Sequence, residues 1–297
     1  MKDPVLKDPR KLYYEEEFPK QDQETPALQK KMRPVPDCGE ESYVGNSRLL
    51  NRRVLITGGD SGIGRAVAIA FAREGADIAL NFLPGEEDDA KEVADFIEKA
   101  GRKVYLLPYD LKKASSPKKI VEEAYEKLGG LDTLVLNAAQ QIAHEKLADY
   151  QIEDVKETFQ VNVISLFAVI QAAEKYLPEG GCIINTTSVQ AFDPAPHLLD
   201  YAGTKSAIAN LTISLGKYFV TKGIRVNAIA PGPIWTPLQL NLGHLKGQLK
   251  GFGQDAPMGR AGQPAELSPL YVYLASNEAS YVTGQIFGVT GGKRINL

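Results

Sequence analysis

From residue 53 onward the sequence settles into a regular alternation, and this constrains the fold more than any other feature. Continuous apolar runs, RVLIT (53–57), ADIALNF (76–82), KVYLLPYD (103–110) and DTLVLNA (132–138), are separated by stretches with helical spacing. Those stretches are GIGRAVAIAFAREG (62–75), EEDDAKEVADFIEKAG (86–101) and PKKIVEEAYEKLG (117–129). A run that is apolar at every position must be buried on both faces, as a parallel strand covered by helices is. The pattern continues through a long helical region over about 151–177, a strand at GCIINTTS (181–188) and a helix at YAGTKSAIANLTISLGKYFVTKG (201–223). A strand at IRVNAIAPG (224–232), a helix at PAELSPLYVYLAS (264–276) and a last strand at TGQIFGVTGG (283–292) complete it. Repeated βα units predict one α/β domain over 51–297: a doubly wound Rossmann fold with a parallel sheet of about seven strands and helices on both faces. No second composition block marks a separate substrate domain.

Residues 1–50 are different: rich in Pro, Glu, Lys and Gln, with no sustained periodicity. Such composition suits a disordered tail. Yet Leu12, Tyr13, Tyr14, Phe18, Leu28, Met32, Val35 and Tyr43 are distributed through it. That favours an extended arm lying on the domain or on a neighbouring subunit. The net charge of −3 gives no reason to expect a nucleic-acid or membrane-surface partner. The N-terminus is charged throughout, without an apolar leader core, and no segment approaches the roughly 18 apolar residues of a membrane span. A cytoplasmic, reducing location is the expectation. Of the two cysteines, Cys182 in CIIN reads as a small buried hydrophobe rather than a disulfide partner of Cys38. No His, Cys, Asp and Glu cluster has metal-ligand spacing, so no metal is expected.

Two segments carry chemistry. In TGGDSGIGR (57–65) a buried strand hands over to a helix through Gly58, Gly62 and Gly64. Glycines there permit a tight turn and bring backbone N–H groups and a helix N-terminus up to a pyrophosphate. The spacing is G-x-x-x-G-x-G rather than the general G-x-G-x-x-G fingerprint. GDSGI imitates a serine-protease motif, but a helix follows it where those enzymes have β-barrels. In SVQAFDPAPHLLDYAGTK (188–205), Tyr201 and Lys205 stand four apart on a helix, with Ser188 at a strand end upstream. Such a Tyr–Lys pair is commonly a surface pair. Here the strand-end serine and the glycine loop argue for a site, since ligands bind at C-terminal strand ends of open α/β sheets. A phenol has an unperturbed pKa near 10, and a lysine close by would lower it by about 1–3 units toward a useful base. Asp193 and His197 might suggest a triad with Ser188, but TTSVQ is not a nucleophile elbow, and His197 reads as a pocket-rim residue. His144 reads as a loop residue.

Together these motifs resemble the short-chain dehydrogenase/reductase family over roughly residues 50–294. Thr57 to Gly64 is similar to its T-G-x-x-x-G-x-G loop, Asp110-Leu111 to its adenine-contacting acidic pair, and LNAAQ (136–140) to its N-N-A-G strand end. Asn162, Ser188 and Tyr201-x-x-x-Lys205 match its catalytic positions, and PGPIWT (231–236) the segment holding the nicotinamide end. Leu136 and Ala139 depart from N-N-A-G. The proline-rich arm with MRPVPD (32–37) resembles the subgroup of general stress proteins, aldehyde reductases and glucose/ribitol dehydrogenase homologues. The resemblance implies a catalytic set of Asn162 (anchoring a proton-relay water), Ser188 (holding the substrate oxygen), Tyr201 (acid/base) and Lys205 (also on the cofactor ribose). It implies cofactor contacts from Gly58, Asp60, Ser61, Gly62, Ile63, Gly64, Asn81, Asp110, Leu111, Asn137, Ala138, Tyr201, Lys205, Pro231, Gly232, Ile234 and Thr236. It also implies a homotetramer.

The cofactor is then NAD or NADP. NADP sites place a base at the glycine loop or after the second strand. Here Asp60, Ser61 and NFLPGEEDD (81–89) offer carboxylates instead, which favours NAD, although Asn81 stands where an acid is usual. The segment 236–262 reads as a glycine-containing substrate lid, with Trp235, Leu238, Leu240, Phe252 and Met258 as apolar cover and Gln140, Gln141 and Gln190 as polar contacts. The expected activity is hydride transfer between a nicotinamide and a small aldehyde, ketone or sugar/polyol. A 3-oxoacyl thioester reductase and a non-catalytic dinucleotide sensor are the alternatives. A nucleotide-sugar epimerase would need a different glycine spacing and a larger C-terminal domain.

Overall fold

The computed structural model describes residues 6–13, 16–240, 242–245 and 247–295. Seven parallel strands form one sheet in the order β3-β2-β1-β4-β5-β6-β7. They are β1 (Arg53–Thr57), β2 (Asp77–Phe82), β3 (Val104–Pro108), β4 (Thr133–Leu136), β5 (Cys182–Thr186), β6 (Arg225–Pro231) and β7 (Ile286–Val289). The order runs outward from β1 in both directions, so the winding reverses between β1 and β4. The carboxyl ends of those two strands open a crevice there. Alternation within β1 shows why its centre had to be apolar at consecutive positions: Val54 and Ile56 enter one core, Leu55 the other. The first core is covered by α1 (Gly62–Arg73), α2 (Glu87–Lys99) and α7 (Ser268–Ala275), the second by α3 (Ser116–Leu128), α5 (Ser165–Ala173) and α6 (Leu199–Val220).

Two elements differ from the sequence expectation. The long helix over 151–177 is α4 (Ile152–Phe159), a π-helical turn at Gln160–Ile164, and α5. Apolar residues continue through the turn, so no change of pattern signals it. The turn carries Asn162, whose side chain bonds Gln140 and Thr204, and such bulges often serve functional sites. The last strand is only Ile286–Val289, because it pairs with β6 alone and glycines in left-handed conformation flank it, Gly284 at φ 69° and Gly291 at φ 64°.

Residues before β1 run along the domain. The Phe18 ring stacks on Trp235 with centroids 3.8 Å apart, and Phe18, Ala27 and Met32 join Trp235, Leu240, Leu249 and Phe252 in a separate small core. Cys38 is buried against Ala66 and Ile69 of α1, and Tyr43 and Arg48 both bond Glu74. Leu12 and Val35 are exposed, and Tyr14 lies outside the described residues. Trp235 is therefore no cover for the cleft. It is fully buried against the arm, and its indole Nε1 donates to Pro34 O at 2.8 Å. Cys38 and Cys182 are both free and buried. Among the described residues no helix is long and apolar enough to cross a membrane.

Candidate active site

A cleft of about 820 Å³ opens along the carboxyl ends of the strands, and every residue assigned to the site from sequence lines it except Gly64 and Asn162. Those two stand just behind the wall. Gly58 has φ +61°, and a Cβ there would come within 2.9 Å of Ala138 Cα. A Cβ on Gly64 would lie 1.8 Å from Gly58 O, so the loop can fold back on itself only with glycine at 64. Asn137 closes this turn: its Nδ2 donates to Gly58 O at 3.0 Å while its backbone N–H donates to Thr57 Oγ1 at 3.1 Å. Helix α1 thus presents Ser61, Gly62 and Ile63 to the cleft at its N-terminus, with Thr236 opposite Gly62. A tight glycine cradle on a helix N-terminus fits a dinucleotide pyrophosphate. Of the two departures in LNAAQ, Leu136 is buried in the second core and Ala139 lines the cleft.

At one end of the cleft lie Asn81, Asp110 and Leu111, with Asp60 and Glu86. Asn81 Nδ2 donates to Leu107 O and Tyr109 O, both at 3.0 Å, so it ties β2 to β3. An acid does stand near that strand end: Glu86, one of the run EEDD (86–89), lines the cleft there. Its signal was position: it is the N-cap of α2, and its carboxylate accepts the Leu83 N–H at 3.1 Å. Burial pushes both the Asp60 and Glu86 carboxyls upward, with repulsion from Asp89 added at Asp60 and from Asp60 at Glu86. Lys112, a base near this end, is paired with Glu157.

At the other end, Ser188 follows β5 and Tyr201 lies in the first turn of α6. The connecting loop is shaped by Gln190, whose Oε1 accepts the Ala195 N–H at 2.7 Å. The Ser188 hydroxyl accepts from Gln190 N at 3.1 Å and stands beside the Tyr201 phenol, favouring its ionised form. Lys205 Nζ donates to Thr186 O at 2.9 Å and sits 5.4 Å from the Tyr201 ring centroid. Burial raises the phenol to about 12, with Ser188 pulling the other way. The expected lowering of the phenol by the lysine is therefore absent from the protein alone. The reason is burial of the lysine itself, which lowers its own pKa to about 7 and so weakens its standing positive charge at neutral pH. Asn162 Oδ1 accepts from Gln140 N at 2.7 Å, and its Nδ2 donates to Gln140 O and Thr204 Oγ1 at 2.9 and 3.0 Å. Both donor positions of the amide assigned to a relay water are taken.

The depressed Lys205 has a consequence for stability. Between about pH 7 and 10 the unfolded chain holds a proton at this lysine that the folded chain lacks, so stability rises with pH there, by at most about 1.4 kcal/mol per pH unit. Lys205→Met should therefore stabilise the protein without cofactor most near neutral pH, and the advantage should shrink toward pH 9 in thermal melts. A pH-independent difference would contradict it.

This end of the cleft also gathers histidines. His197 and His244 rings lie 6.4 Å apart, and His244 meets Phe252 edge-on at 5.1 Å. His144 donates its backbone N–H to His197 O at 3.0 Å, and its ring packs on Tyr150. Ser188, turned to Tyr201 and Gln190, is not the nucleophile of a histidine triad. Gln141 Nε2 donates to Gly243 O at 2.6 Å, joining the loop after β4 to the segment that carries His244. His244 Nδ1 and Gln140 Nε2 are buried polar atoms without a protein partner, and both residues line the cleft. Among the described residues no group of three or more His, Cys, Asp or Glu is placed to hold a metal ion.

The family described as Enoyl-(Acyl carrier protein) reductase matches residues 58–294. The oxidoreductase YghA of Escherichia coli (strain K12) is 55% identical over 290 residues, 98% of this chain and 99% of its own length. General stress protein 39 of Bacillus subtilis is 44% identical over 280 residues, 94% and 97% of the two chains. The glucose and ribitol dehydrogenase of Daucus carota is 40% identical over 286 residues, 94% and 98%. Among solved structures, a short chain dehydrogenase from Burkholderia cenocepacia J2315 in complex with NADP is similar at TM-score 0.77 and 30% identity, covering 83% of this chain and 99% of that one. A 3-ketoacyl-(acyl-carrier-protein) reductase from Brucella melitensis complexed with NADH is similar at TM-score 0.74 and 29% identity, covering 83% and 100%. A glycine-cradled α1, a Ser–Tyr–Lys cluster at the sheet's carboxyl edge and matches along nearly the whole chain lead to one conclusion: the protein is an oxidoreductase and belongs to the short-chain dehydrogenase/reductase family.

Proposed function

We propose that this protein uses a nicotinamide dinucleotide, NAD in preference to NADP, to interconvert an alcohol and a carbonyl on a small aldehyde, ketone or sugar/polyol. The observation that carries the reading is the Ser188–Tyr201 hydroxyl pair at the cleft wall with Lys205 buried behind it. When bound, the dinucleotide supplies or accepts the hydride at carbon. In the reducing direction Tyr201 gives its phenolic proton to the substrate oxygen, and in the oxidising direction it takes one back. Ser188 holds that oxygen beside the phenol. Lys205, once protonated, stabilises the phenolate and reaches the ribose. Asn162 fixes the backbone of Gln140 at the substrate end. Pro231, Gly232, Ile234 and Thr236 line the nicotinamide half, and 236–262 forms the lid, with Asn241 and Lys246 outside the described residues.

The partnerless polar atoms of Gln140 and His244 suit a substrate bearing several hydroxyls, which can both donate and accept, in line with the carrot glucose and ribitol dehydrogenase. The Brucella reductase keeps 3-oxoacyl thioesters as the second reading. Turnover on a panel of aldehydes, sugars, polyols and 3-oxoacyl thioesters decides between them. Dinucleotide binding with no turnover on any member would instead favour a sensor. Exposed Phe159, Ile164 and Phe167 around α4 and α5, with Ile213 on α6, offer apolar surface for a homotetramer. Light scattering should read four chains per particle, and a monomer would remove that proposal. The two free buried thiols accord with a cytoplasmic setting.

A further inference from the structure

The N-terminal arm is anchored at two places that the cleft also uses. Gln29, 1% exposed, accepts the Gly62 N–H on its Oε1 at 2.7 Å and donates from Nε2 to Cys38 Sγ at 3.3 Å. Its backbone N–H donates to the buried carboxylate of Asp89 at 2.6 Å. The Gly62 N–H opens α1, so an arm side chain completes the glycine loop from behind. Just before this anchor, Thr25 and Ala27 line the cleft, and Pro26 lies against Gly85, where a Cβ would come 3.2 Å from Pro26 Cγ.

The second anchor is Phe18. Its ring lies nearly parallel to Trp235, 13° between planes, and its backbone N–H donates to Lys250 O at 3.0 Å. The chain returns at Pro34, whose carbonyl accepts from the Trp235 indole. Trp235 directly precedes Thr236, which packs on Gly62, and Phe252 of the same core meets His244. Residues 18–34 therefore reach from the glycine loop to the segment over the substrate end, touching both through buried groups.

We propose that Gln29 and Phe18 are positioning residues that make the arm a strap, through which dinucleotide binding and ordering of residues 236–262 are coupled. The proposal rests on the dinucleotide-binding reading given above. Coupling of this kind needs no large movement. A dinucleotide that rigidifies the glycine loop also fixes Gln29, and the arm carries that restraint to Trp235 and Phe252.

Hydrogen exchange of the full-length protein titrated with NADH tests it. Exchange should slow in 58–64 and, with the same midpoint, in 18–34 and 236–262. Gln29→Ala should weaken NADH binding by about tenfold and reduce the slowing over 236–262 by at least about threefold, with kcat at saturation changed less than about twofold. Phe18→Ala should abolish the slowing over 236–262 while leaving that over 58–64, and Phe18→Leu, which keeps an apolar contact and guards against simple misfolding, should restore much of it. Slowing in 58–64 with 18–34 or 236–262 unaffected overturns the strap and leaves the dinucleotide site standing. No slowing in 58–64 removes the dinucleotide site, and the strap with it.

Discussion

Tyr201→Phe is expected to lower kcat by at least about a thousandfold while leaving the Kd for NADH within about threefold of the parent, since acid–base transfer is typically worth about 10²–10⁴ in rate. The substitution removes one hydroxyl from a buried ring and leaves its packing in place. Tyr201 is 6% exposed, and its phenol is held by Ser188. No other phenol lines the same end of the cleft among the described residues; Tyr109 lies at the other end, with Asn81 and Asp110. Stopped turnover with intact NADH fluorescence would establish the role. Residual turnover above about a tenth of the parent would place the proton donor elsewhere.

NADH is expected to be used at least about a hundredfold better than NADPH, judged by kcat/KM. The 2′-phosphate would bring about two negative charges beside the Asp60 carboxylate, with Asp89 close behind, while Glu86, its carboxyl pushed up to about 8, offers it no positive charge; like charges a few ångströms apart at an effective dielectric near 20 repel by about 4 kcal/mol. Asp60 and Glu86 line that end of the cleft, and burial raises both carboxyls, with Asp89 adding to the rise at Asp60 and Asp60 to that at Glu86. The neighbours do not decide the matter, since the Burkholderia dehydrogenase is in complex with NADP and the Brucella reductase with NADH. Glu86→Arg should narrow the preference by at least about tenfold, because a guanidinium can pair with the phosphate. Equal use of the two cofactors by the parent would refute the assignment.

How much of this could be read from the residues depends on where each partner lies. RVLIT declared itself a doubly covered strand because its consecutive Val54, Leu55 and Ile56 are all apolar, and the two cores divide them between them. The glycine loop and the Tyr201–Lys205 spacing were legible because both are local. The π turn at Gln160–Ile164 was not, since what holds Asn162 lies 22 and 42 residues away. The direction of the Tyr201 shift was hidden for a different reason. Spacing shows that a lysine is near, but only packing shows that the lysine is itself 2% exposed. Glu86 was visible as one acid among four, and only the start of α2 gives it its position.

The arm also bears on how the chain is made. Its first residues leave the ribosome first, yet Pro9 waits for Arg260, 251 residues later, and the Pro34 carbonyl for Trp235, 201 residues later. The sheet from β1 to β5 has its local partners long before that, so early synthesis can build the centre of the domain. Phe18 and Met32 have no core to enter until the segment after β6 has emerged. Gln29 and Cys38 find their partners on α1 and α2 early, but docking of Phe18 and Met32 is a late event of biosynthesis, and a ribosome stalled before β6 would carry a formed half-domain whose arm is only half seated.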